Sequence, residues 1–258
     1  MQRFSFLFST RIRFTDPVSA HSFLLRCLPC NMSSQKVVDA KLTVDGADLH
    51  HGTDAFGNRI SWGLISESHN SFSFTAEGVV DVRPYRVCAA PSPMYGSCTA
   101  LTSCTRAMRE FALFGAGRGG DLERAVSLSK ALHGLMKYQA GATSVCTTAA
   151  EAFGAGVGVC QDYAHILIAM CREVGIEARY VTGYMHGEGA THAWVEIFSR
   201  AEGVWYGLDP TNNCSIGLGY IKVAHGRDAD DCPVSRGVMS GVTSQNSEIS
   251  VKVRPVYD

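Results

Sequence analysis

An α+β fold with two regions is what the sequence predicts, on three observations. Residues 10–90 hold short β-rich runs split by turn dipeptides, and residues 122–174 hold two amphipathic helical stretches. Strand-like runs then follow those helices instead of alternating with them. Helices followed by a run of strands pack on an antiparallel sheet, whereas regular alternation gives a doubly wound parallel one.

In the N-terminal region, Arg11–Phe14, His21–Leu28, Val37–Val44, Ile60–Ile65 and Ser71–Val82 are rich in β-branched and aromatic residues. Asp-Pro, Asp-Gly and Gly-Asn pairs punctuate them, as turns do between strands. Phe72, Phe74, Val79, Val80 and Val82 suit a half-buried sheet, so residues 1–110 read as an N-terminal β-sandwich-like domain. Residues 91–125 carry Pro91, Pro93 and the cluster Gly115–Gly120 around one short helix over Thr105–Leu113. The glycine cluster has neither a preceding strand nor a following Lys-Ser/Thr pair, so it reads as a linker rather than a phosphate loop.

Residues 111–258 form the C-terminal region. Leu122, Ala125, Val126, Leu128, Leu132, Leu135 and Met136 recur at three and four, the period of an amphipathic helix. Residues 148–153 allow a short helix. Over Cys160–Val174, Ala164, Leu167, Ile168, Cys171 and Val174 share a face and Gly175 supplies the stop. Ala178–Met185, His192–Phe198 and Val204–Leu208 have strand character.

Composition narrows the function. The chain has 258 residues, 46% apolar and 18% charged, which excludes a disordered or fibrous polymer. Its formal charge of -1, from 23 basic and 24 acidic residues, gives no electrostatic footprint for nucleic acid or an anionic membrane. No apolar run approaches the ~18 residues of a spanning helix. Residues 1–38 hold four Arg, one Lys and only Asp16 as an acid, a balance shared with organellar targeting segments. The apolar patch Phe4–Phe8 is too short for a secretory leader. Ten cysteines in a chain this long, with no export signal, point to reduced thiols and a cytoplasmic location.

The chemistry gathers around Cys160. Gly154-Ala-Gly-Val-Gly-Val-Cys160 sets a thiol on the first turn of an apolar-faced helix after a glycine-rich approach. Unpaired N–H groups and the positive helix end favour a thiolate there, and the Cys160 N–H is a candidate oxyanion donor. Gly156 and Gly158 leave room for another backbone. A nucleophilic thiol needs a base and a group to orient it. His192 opens one strand, Asp209 ends the next, and a hairpin around Ser199–Gly203 brings both to one sheet end. A carboxylate there fixes the imidazole tautomer and stabilises its cation.

These blocks carry a resemblance. Gly158-Val-Cys160-Gln-Asp, Ala178-Arg-Tyr-Val-Thr-Gly-Tyr184, Thr191-His192-Ala-Trp-Val-Glu and Leu208-Asp209-Pro-Thr-Asn resemble, in that order, the transglutaminase-like family of cysteine enzymes. Gly141-Ala-Thr143, Cys160-Gln-Asp-Tyr-Ala-His165 and Ala224-His-Gly-Arg-Asp228 resemble its bacterial branch, as does the turn Asp54-Ala-Phe-Gly-Asn58. The resemblance implies a papain-like core, helices on an antiparallel sheet, with Cys160 as nucleophile, His192 as general base and Asp209 as orienting carboxylate. It implies acyl transfer on peptide or glutamine-type amide bonds, by water or by an amine, with a peptide or protein as partner. The alternative is a catalytically inactive member used as a binding module. Calcium-dependent relatives carry acidic metal sites; Asp228, Asp230 and Asp231 are a feeble counterpart, so neither metal nor other cofactor is expected.

The remaining candidates read more plainly. Cys27 and Cys30 have CxxC spacing, but a structural zinc needs four ligands and no second pair exists. Cys98 and Cys104 have no partner pattern, and Cys171 sits mid-stripe as a small hydrophobe. His50, His51, His165 and His225 read as solvated or core histidines. His165 points ~140° away from Cys160 at ~100° per residue and is not the base. Trp194 and Trp205 are candidate walls of the cleft.

Overall fold

The computed structural model describes residues 1–257 and arranges them as two antiparallel sheets on either side of a buried cleft. The first sheet is organised by β1 (Gln2–Leu25), one strand of 24 residues. Its first half lies between β5 (His69–Val82) and β15 (Gln245–Pro255), and its second half between β4 (Arg59–Ile65) and β14 (Ser235–Ser240). β2 (Gln35–Val44), β3 (His50–Thr53) and β9 (Gly187–Gly189) extend the sheet beyond β5, β4 and β15. Phe4, Phe6 and Phe8 alternate into the core, so the arginine-containing N-terminus is a central strand.

Two expectations are corrected here. Asp16-Pro17 does not separate one strand from the next. Pro17 has no N–H to donate, so the pairing with β5 breaks between Arg13 and Val18 while the strand bends on and changes partners. The division after residue 110 does not separate the sheets either, because β9, β14 and β15 come from the second half of the chain and complete the first sheet. β15 escapes a pattern search because only Val251 and Val253 are buried among polar neighbours.

The second sheet runs β12 (Cys214–Ser215), β11 (Val204–Asp209), β10 (His192–Ser199), β8 (Ala178–Met185), β13 (Tyr220–Gly226). Against it lies α4 (Cys160–Glu173), buried from Asp162 to Arg172. A helix apolar on nearly every side belongs in the centre, and α1 (Arg106–Gly115), α2 (Asp121–Leu135) and α3 (Ala149–Ala155) pack around it. In α2 the inward stripe is Ala125, Leu128 and Leu132, each worth ~1.5–3 kcal/mol for the larger side chains. Val126 and Leu135, expected on that stripe, face solvent. Thr105 and Thr148 cap α1 and α3 through their side-chain oxygens, and Gly175 follows α4 at φ 77, a left-handed turn that glycine adopts freely.

Buried polar side chains tie the two sheets. Gln35 donates to the carbonyls of Cys30 and Lys222 and accepts from the Lys222 N–H. Asn58 bonds both backbone groups of His225, and Asp54 beside it accepts from Arg26 at 2.8 Å. The Asp54–Asn58 turn thus joins one sheet to the edge strand of the other.

Candidate active site

Cys160 is the first residue of α4 and is half-buried. Its approach is set by a two-residue parallel pair, β6 (Lys137–Tyr138) with β7 (Val157–Gly158). The helix start is capped by its own third residue. Asp162 Oδ2 accepts from the Val159 N–H at 2.8 Å and from the Thr143 hydroxyl at 2.6 Å. A side-chain carbon on Gly158 would fall 2.7 Å from the Asp162 Cβ, so glycine is required for the cap to form. The N–H groups of Cys160 and Gln161 lie in the first turn, where no carbonyl four residues back exists to receive them.

His192 begins β10 and is paired with Gly183 of β8. The hairpin between β10 and β11 sets Val195 opposite Leu208 and brings Asp209 beside the imidazole. His192 Nε2 meets Asp209 Oδ2 at 2.7 Å. Cys160 and His192 line the same cavity, and the sulfur is near enough to draw a proton onto the imidazole. Burial works against a charge on the ring, but the Asp209 hydrogen bond and the nearby Cys160 sulfur outweigh it and push the imidazole up to about 9. The structure therefore brings Cys160, His192 and Asp209 together.

Asp209 is fully buried and its carboxylate is saturated with donors. Oδ1 accepts from the N–H groups of Thr211 and Asn212, and Oδ2 from the Asn212 amide and the Tyr220 hydroxyl as well as His192. Burial opposes its charge, yet the His192 and Asn212 bonds prevail and hold it below the usual carboxylate range. Sequence reasoning misses Asn212 and Tyr220. Asn212 is reachable as the polar residue three past Asp209; Tyr220 arrives on another strand and carries no local signal.

Behind His192 lies a buried network equally invisible in the sequence. Glu196 accepts from Arg179, from Lys222 at 2.7 and 2.8 Å, and from the Tyr85 hydroxyl at 2.6 Å. Burial would raise the Glu196 carboxyl, but Arg179 and Lys222 hold it far below its ordinary value. Lys222 itself is drawn down to about 8 by burial and by Arg179. Trp194 donates to Tyr85 and packs on Tyr220, and Trp205 lies under the Arg179 guanidinium at 4.1 Å. Both tryptophans are fully buried and neither lines the cavity, so the expectation that they wall the cleft is corrected.

The other candidates sit elsewhere. His165 accepts from the Ala229 N–H and is held down at about 4 by burial. His225 is half-buried and held down by burial and by Lys222 and Arg179, His51 bonds Ser61, and His50 stacks on Trp62. Cys27 and Cys30 are free thiols raised by burial, Cys27 to about 12; Cys98, Cys104 and Cys171 are also free. Asp228 caps a turn, Asp231 pairs with Arg227 and Asp230 with Arg236. Among the described residues no group of three or more His, Cys, Asp or Glu side chains gathers as a metal site. No described helix is long and apolar enough to cross a membrane.

Two family descriptions match the chain: the transglutaminase-like superfamily over residues 114–210, and the bacterial transglutaminase-like N-terminal region over residues 5–81. An uncharacterised protein of Mycobacterium tuberculosis is 32% identical over 281 residues, covering 95% of this chain and 89% of that protein. The chain belongs to the transglutaminase-like superfamily. Its α+β architecture is the transglutaminase-like fold: the crystal structure of a candidate cysteine protease from Cytophaga hutchinsonii superposes with a TM-score of 0.81 at 21% identity, over 100% of this chain and 91% of the other. A stretch of 56 residues is 36% identical to the peptide-N(4)-(N-acetyl-beta-glucosaminyl)asparagine amidase of Gallus gallus, 22% of this chain and 8% of that protein.

Proposed function

We propose that this superfamily member is a cysteine-dependent acyl-transfer enzyme acting on peptide or glutamine-type amide bonds. The observation that carries the reading is one imidazole hydrogen-bonded to a buried carboxylate and opening on the same cavity as a thiol at a helix N-terminus. An imidazole pushed up to about 9 is protonated at neutral pH, the state in which it attracts an anionic sulfur and holds a proton to give.

In the first half-reaction the Cys160 sulfur forms a bond to the carbonyl carbon, and the Cys160 N–H receives the developing oxyanion. The C–N bond breaks as His192 passes its proton to the departing amine, leaving a thioester. In the second, water or an amine gives a proton to His192 and attacks the thioester carbon, and the C–S bond breaks. Asp209 keeps the ring oriented and its cation stabilised throughout. The Gallus gallus amidase and the Cytophaga hutchinsonii candidate cysteine protease are named for amide-bond cleavage, the same class of reaction. Ten free thiols support operation in a reducing, cytoplasmic compartment.

The test incubates a glutamine-containing peptide pool with the protein, with and without a primary amine, and follows masses. Cleavage, deamidation and amine incorporation give different mass changes. A pool left unchanged by wild type, or changed equally by Cys160→Ala, removes the reading in favour of a binding module.

A further inference from the structure

The cavity that Cys160 and His192 open into has a volume of about 660 Å³, well within the ~300–1,000 Å³ of small-ligand sites. The core sheet supplies only one end of it. The far wall is the first sheet: Phe8 and Phe14 from β1, Phe72 and Phe74 from β5, Met239 from β14 and Ile249 from β15. Four aromatic rings, a thioether and an isoleucine line a space that a glutamine side chain, two methylenes and an amide, would not fill.

Two polar atoms in this wall have no protein partner. Thr10, 6% exposed, lines the cavity and its hydroxyl is unpaired. His21 also lines it. The tautomers there follow from a chain of bonds: His69 Nδ1 faces the Glu67 carbonyl, which can only accept, so with both rings neutral His69 Nε2 receives the proton of His21 Nδ1. His21 Nε2 is left as an acceptor. It lies beside Gly237, another lining residue, where a side-chain carbon would come within 2.8 Å of it. Gly237 thus keeps that nitrogen uncovered.

We propose that the cavity between the two sheets is the acyl-donor pocket, and that it takes the aromatic side chain of the residue whose carbonyl Cys160 attacks, tyrosine or phenylalanine in preference to glutamine or glycine. The first sheet is then the specificity element, with Thr10 and His21 meeting a phenolic tip. This rests on the acyl-transfer reading, and the experiment separates the two.

The intact protein is treated with the N-acetyl chloromethyl ketones of glycine, phenylalanine and tyrosine, and with N-acetyl-6-diazo-5-oxonorleucine as the glutamine-shaped probe. Each rate of Cys160 modification, read by peptide mass spectrometry, is divided by the probe's rate with glutathione. Iodoacetamide, which has no side chain to place, reports the thiol alone. Both aromatic probes are expected to label at least tenfold faster than the other two. Ile12→Trp, which fills the wall from a half-buried lining position, is expected to cut that preference at least fivefold with the iodoacetamide rate within twofold. Ile249→Trp, at the exposed edge of the same wall, is the second blocking variant and has the same expectation. Equal rates for all probes, or a preference that survives both variants, overturn the pocket while iodoacetamide still favours Cys160. Iodoacetamide labelling Cys160 no faster than the exposed Cys88 overturns the acyl-transfer reading itself, and the pocket with it.

Discussion

Asp209→Asn isolates what the buried carboxylate contributes, because it keeps the side-chain volume and an oxygen for the Thr211 and Asn212 N–H groups. The other oxygen, which receives His192, Asn212 and Tyr220, becomes an amide that can only donate to them. His192 stands at about 9 in the intact site, where burial pulls it down and Asp209 and Cys160 pull it up. Without the carboxylate the main upward pull is lost and the ring falls toward its ordinary 6.5. At ~1.36 kcal/mol per pH unit that difference is ~3.4 kcal/mol, a factor of ~300. The sign is fixed by the proton: below about 9 the intact ring is an imidazolium able to protonate the leaving amine, whereas at pH 8 the variant ring is neutral. Amide turnover between pH 5 and 10, with ring titration followed by NMR, is the assay. Wild type should lose activity only as pH rises through about 9; the variant should lose it above ~6.5 and fall ~100- to 10,000-fold at pH 8. The raised value also stabilises the fold fully below 6.5 and progressively less toward 9, so wild-type melting should decline across that window and the variant's should not. A variant whose alkaline limb stays near 9, with turnover within tenfold of wild type, refutes the reasoning.

The other expectations test separate elements of the site. Cys160→Ala should abolish turnover while stability from denaturant unfolding changes by no more than ~1 kcal/mol, since only a half-buried thiol is removed. Gly158→Ala should cost ~1–3 kcal/mol through collision with Asp162 and lower turnover by displacing the helix start; melting and kinetics report both. Glu196→Gln leaves Arg179 and Lys222 buried without their carboxylate and should cost ~3–5 kcal/mol by urea unfolding. Because Glu196 is held below its ordinary 4.5, its contribution is present above that pH and lost as pH falls further. Tyr220→Phe removes one of Asp209's donors and should cost ~1 kcal/mol, seen as a modest fall in turnover and a small change in the His192 titration.

The site was largely legible because its signals are local. Glycines before Cys160, the apolar stripe after it, a strand beginning at His192 and another ending at Asp209 each depend on neighbouring residues. The support around it was not. Arg179, Glu196 and Lys222 come from three strands, and each alone reads as a charge facing water; only the sheet order puts them in one dry pocket. The first sheet was legible by class and not by connection. Asp16-Pro17 carries the chemistry of a turn, yet pairing on either side of it carries β1 onward, and the late strands are too polar to announce a buried edge.

The pairing of β1 with β15 joins residues more than two hundred positions apart, Phe4 to Pro255 and Phe14 to Gln245. Contacts so remote in the chain close slowly, and because synthesis runs from the N-terminus, one flank of β1 stays bare until β15 has been made. Val251 and Val253 seal that flank, and Gln245, Ser247 and Ile249 bring one side of the cavity with them. The cavity in front of Cys160 therefore has no complete wall until β15 has paired with β1.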